Sequence, residues 1–155
     1  MKKLLVLFLI VFAAGCKDKE PEPEPNYAAD FVGEYWTNTA DGGNSTAQTW
    51  VITESNNLLN ITYTIDYTFR NQGKELRSKE VYTLKDIQVL NPVSFKIAQD
   101  AAVNEDGNLK TRRVEGEGVK STKADGTVVI GITLKFTEPG ASSSTSTDYL
   151  EFKKR

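Results

Sequence analysis

The chain has 155 residues, 26% of them charged, with a formal net charge of −2, one cysteine and no histidine. That length suits one domain with a single core. Its mildly acidic, mixed charge lacks the basic stripe that nucleic acid calls for and the cationic excess that draws a protein to anionic lipid. Without histidine the commonest general base, the commonest transition-metal ligand and the physiological proton switch are missing together. With a single cysteine no intramolecular disulfide can form.

Lys2 and Lys3 start the chain with positive charge, residues 4–14 are apolar, and Ala13, Ala14 and Gly15 set small side chains before Cys16. This is the three-part layout of an export signal. The apolar run falls short of the about 20 residues that a spanning helix needs. An ordinary secretory signal would leave Cys16 as an unpaired thiol in an oxidising compartment. Because small residues lead straight into the cysteine, the segment resembles a bacterial lipoprotein signal, with Ala13 where the commonest pattern has Leu. The resemblance implies a signal peptide over residues 1–15, cleavage before Cys16, lipid on its thiol and acylation of the new amine. At about 0.8 kcal/mol per buried methylene, two or three acyl chains hold a protein to a membrane that its polypeptide need not touch.

Residues 16–26 read as the lipidated cysteine and a tether. Lys17, Asp18, Lys19 and Glu20 precede alternating Pro and Glu over 21–25. Proline blocks helix and removes backbone donors while the glutamates repel, so an extended polyproline-type spacer is expected. Ten such residues reach roughly 30 Å at about 3.1 Å each. The charges beside the cysteine also resemble the signal that sends lipoproteins of Bacteroidota to the cell surface, with Lys19 interrupting the acidic run. A solvated linker explains the same composition.

From Tyr27 onward the period is two. A turn over 27–30 leads into a first strand at 31–39, and residues 41–44 turn the chain. The second strand, about 46–53, puts Trp50 and Ile52 on one face and Thr49, Val51 and Thr53 on the other. After a hairpin at 55–57, Leu59, Ile61, Tyr63, Ile65, Tyr67 and Phe69 alternate with polar residues, the pattern of a half-buried antiparallel strand. A one-residue slip would put every aromatic in water, which fixes the pairing. Residues 71–74 turn into a strand at 76–84 that loses phase at Lys85 and Asp86, where a bulge is expected. Ile87 and Val89 continue it to a break at Asn91 and Pro92. Val93, Phe95 and Ile97 mark a further strand, ended by a turn at 105–108. Residues 109–119 are highly charged and carry Gly116 and Gly118, which predicts an exposed or sharply bent strand. Asp125 and Gly126 signal a hairpin. Val128, Ile130, Ile132, Leu134 and Phe136 then alternate cleanly, residues 140–147 form a Ser/Thr-rich loop, and 149–153 are the last strand.

About eight strands joined by short hairpins, with no helix longer than a turn, predict an all-β fold over residues 27–155. It is an antiparallel up-and-down barrel or, alternatively, a β-sandwich. The long strands favour the barrel. A membrane barrel would turn its apolar face outward and would carry no lipid anchor. Phe31, Gly33, Tyr35 and Trp36 opening the first strand, ahead of an eight-strand meander, resemble the lipocalin-like (calycin) domains of Bacteroidota lipoproteins. Such domains usually have Trp two residues after the Gly, where this chain has Tyr35. The resemblance implies a basic residue near the chain end packed on that aromatic, with Lys153 and Arg155 as candidates, and a barrel that binds a ligand.

The residues point to no catalytic site, no cofactor and no metal site. The Asn104 to Asn108 run suits a turn better than a calcium loop, because its glycine is misplaced and no distal Glu follows. There is no phosphate loop or nucleophile elbow, and Asp66 is explained by a solvated strand face. What remains is aromatic. Trp50, Tyr63 and Tyr67 are the candidate ligand-binding residues, with Tyr82 and Tyr149 as further aromatics for a barrel mouth. Each is equally at home filling a narrow eight-strand barrel. The expected protein is therefore an outer-membrane lipoprotein of the cell envelope, exposed at the surface by the tether reading. Its non-catalytic barrel takes a small apolar or amphipathic ligand. The alternative is an interaction module (adhesin, inhibitor or accessory subunit) with a filled barrel. The expected partners are the membrane through Cys16 and a small hydrophobic ligand or a protein, with no nucleic acid.

Overall fold

A computed structural model describes residues 25–155, so the signal segment, Cys16 and the tether up to residue 24 lie outside the described residues. A 3-10 turn (Tyr27–Phe31) precedes ten strands: β1 (Gly33–Asp41), β2 (Asn44–Ser55), β3 (Leu58–Asn71), β4 (Lys74–Asn91), β5 (Ser94–Glu105), β6 (Asn108–Thr122), β7 (Val128–Ile132), β8 (Lys135–Thr137), β9 (Thr145–Ser146) and β10 (Leu150–Lys154). All pairings are antiparallel. β1 pairs with both β2 and β10, and β5 with both β4 and β6, so the sheet closes on itself.

The ten strands are eight barrel staves. β7 and β8 lie along β6 in one register, Val119 opposite Gly131 and Val114 opposite Phe136, so they are halves of one stave interrupted at residues 133–134. β9 and β10 are likewise two halves of the last stave, set one residue out of step. At the break the Leu134 amide donates to Thr147 Oγ1 (2.9 Å), and the Thr147 amide donates back to the Leu134 carbonyl (2.8 Å). The result is a closed eight-strand up-and-down barrel, not a sandwich. The expected strand at 128–136 is thus broken, although Ile130, Ile132 and Leu134 all stay in the core. The expected loop at 140–147 contains β9.

Four of the five two-residue turns have positive φ at both positions: Gly42 and Gly43, Asn56 and Asn57, Gln72 and Gly73, Asp106 and Gly107. Their backbone twist matches that of the strands they join. The predicted phase loss in β4 is present: Asp86 has φ 53° and the pairing with β5 is irregular between Thr83 and Gln88. Residues 109–119 of β6 are an interior stave and not an edge: each pairs with β5, while β7 and β8 flank the other side, and Val114 is buried although Leu109 is exposed. Its glycines answer to packing: a Cβ on Gly118 would overlap the Phe95 ring.

The inner face is apolar and aromatic at the end where the 3-10 turn enters. Trp50 stacks on Phe152 (ring centroids 4.2 Å) and meets Tyr63 edge-on (5.8 Å), while Phe31 meets Phe95 edge-on (5.3 Å). Each such pair contributes about 0.5–1.5 kcal/mol beyond the area it buries. Lys120 braces the 3-10 turn, donating to the Asp30 carbonyl (3.2 Å) and lying over the Phe31 ring. This end is closed. The outer face is polar, as on β3, where Thr62 and Asp66 are exposed between buried Ile61, Tyr63 and Ile65. That arrangement is the reverse of a membrane barrel.

The basic residue on the opening aromatic is Lys154, not Lys153 or Arg155. Its Nζ lies 5.6 Å from the centroid of the Tyr35 ring, and Gly33, at φ 145°, lets its stem pass where a Cβ would stand 2.8 Å from Lys154 Cε. Lys153 lies over Trp36 on the outer face, and Arg155 pairs with Glu34 (3.3 Å). Counting by two from Leu150 and Phe152 puts Lys154, and neither Lys153 nor Arg155, on the inner face opposite Tyr35.

Gly118→Ala is expected to push the Phe95 ring out of its contacts with Phe31 and Trp50, at an over-packing cost of about 1–3 kcal/mol. Trp50→Ala, which empties the centre of the core, should cost about 3–5 kcal/mol. Denaturant melts of the two variants check both values.

Candidate functional site

The inner face changes chemistry along each strand toward the end opposite the 3-10 turn. On β2, Ile52 and Trp50 give way to Gln48 and Thr46; on β4, Leu84 and Tyr82 give way to Glu80 and Ser78; on β6, Val114 gives way to Arg112 and Lys110. The period of two is unbroken, so these polar side chains point inward. They do so toward the open end, where Thr46, Ser78 and Lys110 keep contact with water and the more buried Gln48, Glu80 and Arg112 have hydrogen-bonded partners. This open mouth is framed by the β1–β2, β3–β4 and β5–β6 turns and by residues 138–144.

Two clefts occupy the mouth. The larger, about 410 Å³, lies beside β1, β2 and the start of β10; Gln48, Ile65 and Tyr63 are among the residues that line it. The smaller, about 350 Å³, lies between β4, β6 and residues 138–145. Tyr67 and Phe136 border both and form the wall between them. The β3–β4 hairpin carries Tyr67 and Phe69, whose rings stack at 5.9 Å, and Leu76 opposite Phe69. Phe69 is 46% exposed and Leu76 57% exposed.

Arg112 organises the smaller cleft. Nε donates to Glu138 Oε1 (2.7 Å), Nη2 lies 2.6 Å from the same oxygen and 3.6 Å from Glu105, and Nη1 donates to Glu80 (3.1 Å) and to the Tyr82 hydroxyl oxygen. The Tyr82 hydroxyl in turn donates to Glu80 (2.6 Å). The Arg112 and Glu80 side chains are only 13% and 12% exposed, so this pair is largely withdrawn from water. Partial desolvation works against the Arg112 charge, but Tyr82, Glu138 and Glu80 outweigh it and raise its pKa. Lys110 holds Glu105 below the usual carboxylate range by hydrogen bond and charge. Every guanidinium edge is engaged. The cluster therefore ties β4, β5, β6 and the chain after β8 together across the mouth.

Of the candidate ligand-binding residues, Tyr63 and Tyr67 meet at the larger cleft, and Trp50 does not reach it. Trp50 is fully buried in the aromatic core and borders neither cleft; its indole N–H has no protein partner, nor has the Tyr35 hydroxyl. Tyr63 is fully buried, with its hydroxyl donating to Gln48 Oε1, and belongs to the floor. Tyr67 is half-buried and is the aromatic of the three that a ligand can reach. Tyr82 underlies the smaller cleft, and Tyr149 borders the larger one from the rim, 66% exposed and with its hydroxyl over Gly131, an outward-facing position. Glu80, Arg112 and Gln48 were not apparent as site residues, since alternation was followed through apolar positions only. Counting back by two from Val114 reaches Arg112, which is the signal that would have found it.

Among the described residues no group of three or more acidic, cysteine or histidine side chains is placed to hold a metal ion. Asp106 is committed to structure, accepting from Ser78 Oγ (2.7 Å) and the Lys79 amide (2.8 Å).

Burial raises the Tyr35 hydroxyl to about 12, and burial with Glu80 nearby raises Tyr67 to about 12. Tyr63 and Tyr82 are also raised, first by burial. These groups hold their protons more tightly folded than unfolded, so their contribution is complete below the unfolded value of 10.0 and is lost as pH climbs toward about 12. Stability should therefore fall across that window, with tyrosinate absorbance rising together with unfolding. A pH series of thermal melts read against tyrosinate absorbance checks it.

No family model matches the chain, and no curated protein or solved structure matches it.

Proposed function

We propose that this is a non-catalytic binding protein of the bacterial cell envelope, anchored through lipid on Cys16, whose lipocalin-like barrel takes a small amphipathic ligand at its open mouth. One observation carries the reading: the core is filled, and polar and aromatic side chains meet only where two clefts open above it. A filled interior rules out the deep apolar calyx that would swallow a whole hydrocarbon chain. It leaves a shallow site with a polar side and an aromatic side, which suits an amphipathic molecule. The lack of histidine, with the only cysteine assigned to lipid, supports a binding role over catalysis.

The anchoring part rests on the signal layout and fits the place where the described chain begins. Asn26 donates to Glu54 near the end of β2 (3.0 Å), which is the closed end of the barrel. A membrane tether arriving there attaches at the end opposite the mouth and leaves the mouth free to face the medium. The ligand then comes from the aqueous side and not from the anchoring membrane. Display at the outer-membrane surface follows from the charges beside Cys16. The second reading, an interaction module, is favoured by the exposed Phe69 and Leu76 on the projecting hairpin.

Cys16→Ser should abolish lipid modification and leave the protein uncleaved or released, as mass spectrometry of the mature N-terminus will read. An unmodified Cys16 at the start of the wild-type mature chain would overturn the anchor. For binding, Tyr63→Ala should cost about 3–5 kcal/mol, as for a fully buried aromatic. Tyr67→Ala, whose ring is half in water, should cost only about 1–2 kcal/mol and abolish uptake of a fluorescent amphiphile. If the parent protein takes up no amphiphile, the interaction module replaces the ligand-binding reading.

A further inference from the structure

We infer that the larger cleft of the mouth recognises a neutral polyhydroxylated ring, a saccharide or the sugar head of an amphiphile; this names the ligand class of the mouth site and rests on that reading. The charge of the lining comes first. Asp41 and Asp148 border the cleft and no lysine or arginine does, so nothing there neutralises a carboxylate or phosphate. Both aspartates are exposed at the rim, while the deep groups, Gln48 and Tyr63, are neutral. A cation at the floor would lose its hydration with no counter-charge beside it. The smaller cleft is no substitute for an anion, because Arg112 is saturated by Glu80, Glu105, Glu138 and Tyr82.

The hydrogen-bonding groups then choose among neutral ligands. Gln48 is 6% exposed, and its side chain makes one hydrogen bond, with the Tyr63 hydroxyl. In either orientation of the amide, one of its two polar atoms keeps contact with water at the cleft floor, where a ligand hydroxyl can replace that water. Thr39 and Thr46 add hydroxyls that both donate and accept, matching the hydroxyls of a sugar. The opposite wall is Tyr67 and Phe136, flat apolar surfaces for the C–H face of a pyranose ring. The volume of about 410 Å³ lies within the range of small-ligand sites.

Three probes that share a phenyl group and differ in their heads test this: phenyl β-glucoside, phenyl phosphate and phenyltrimethylammonium. Each is titrated against the full lipidated chain in lipid nanodiscs, with empty nanodiscs as the control and saturation-transfer NMR as the readout. Phenyl β-glucoside should bind at least about tenfold more tightly than either charged probe, as one to two neutral hydrogen bonds allow. Gln48→Leu should remove most of that preference. Because that change also strips the Tyr63 hydroxyl of its acceptor, Thr46→Val at the half-buried upper wall serves as the second variant and should weaken the glucoside alone. Tighter binding of either charged probe, lost in Tyr67→Ala, would overturn the sugar assignment and keep the mouth as the ligand site. Saturable binding of none of the three would overturn both.

Discussion

The ring of Trp50, on β2, meets side chains from three other staves: Phe152 of β10, Tyr63 of β3 and Phe95 of β5. Those strands become neighbours of one volume only when β1 closes on β10, so the stack and the closure of the barrel depend on each other. Closure pairs β1 with β10 at Tyr35 and Trp36 and, among the described residues, leaves unpaired edges only near the mouth, on β9 and on the end of β1. An eight-strand barrel is just wide enough for side chains to fill it. Here they do, with Trp50, Tyr35, Tyr63 and Tyr82 all essentially inaccessible to water. The glycines of β6 are part of the same packing, since Phe95 needs the space above Gly118.

Filling the lower barrel leaves the two clefts at its rim. The inner face keeps its alternation to the mouth but changes from aromatic to polar within two or three inward positions. Tyr82 marks the change: its ring packs on Tyr63 below and its hydroxyl joins the Arg112 and Glu80 pair above. A pair that is so little exposed contributes less to net stability than its Coulomb attraction suggests, because both groups have given up water. Its clearer effect is positional. Arg112 holds Glu138, and through it the chain after β8, against β4 and β6, so the smaller cleft is lined by charges already paired with one another.

The two ends of the barrel are thus unlike. At one, the 3-10 turn, Lys120 and Lys154 cover the aromatic core with short contacts. At the other, four connections surround a cup lined by groups able to bind. With the anchor proposed on the closed side, access from the medium and attachment to the membrane do not compete for one surface. The protruding β3–β4 hairpin, with its stacked Tyr67 and Phe69, extends the aromatic surface beyond the cleft.

Much of the architecture was legible in the amino-acid order, because a strand's two faces are encoded by a period of two and its turns by residues that tolerate positive φ. Leu59 to Phe69, the Asn and Gly turns, the bulge at Lys85 and Asp86 and the number of staves all follow from that local code. The candidate site was only partly legible. Tyr63 and Tyr67 share a face in any reading, yet one is floor and the other wall, since depth along the barrel axis is set by neighbours on β2, β4 and β8. Gln48 and Arg112 look like ordinary solvated residues until closure turns them inward. The sequence by itself determined an all-β chain of eight alternating strands. Tertiary structure alone decided that the barrel is filled, that Lys154 meets Tyr35, and that the mouth is polar, because those depend on contacts between strands far apart in the chain.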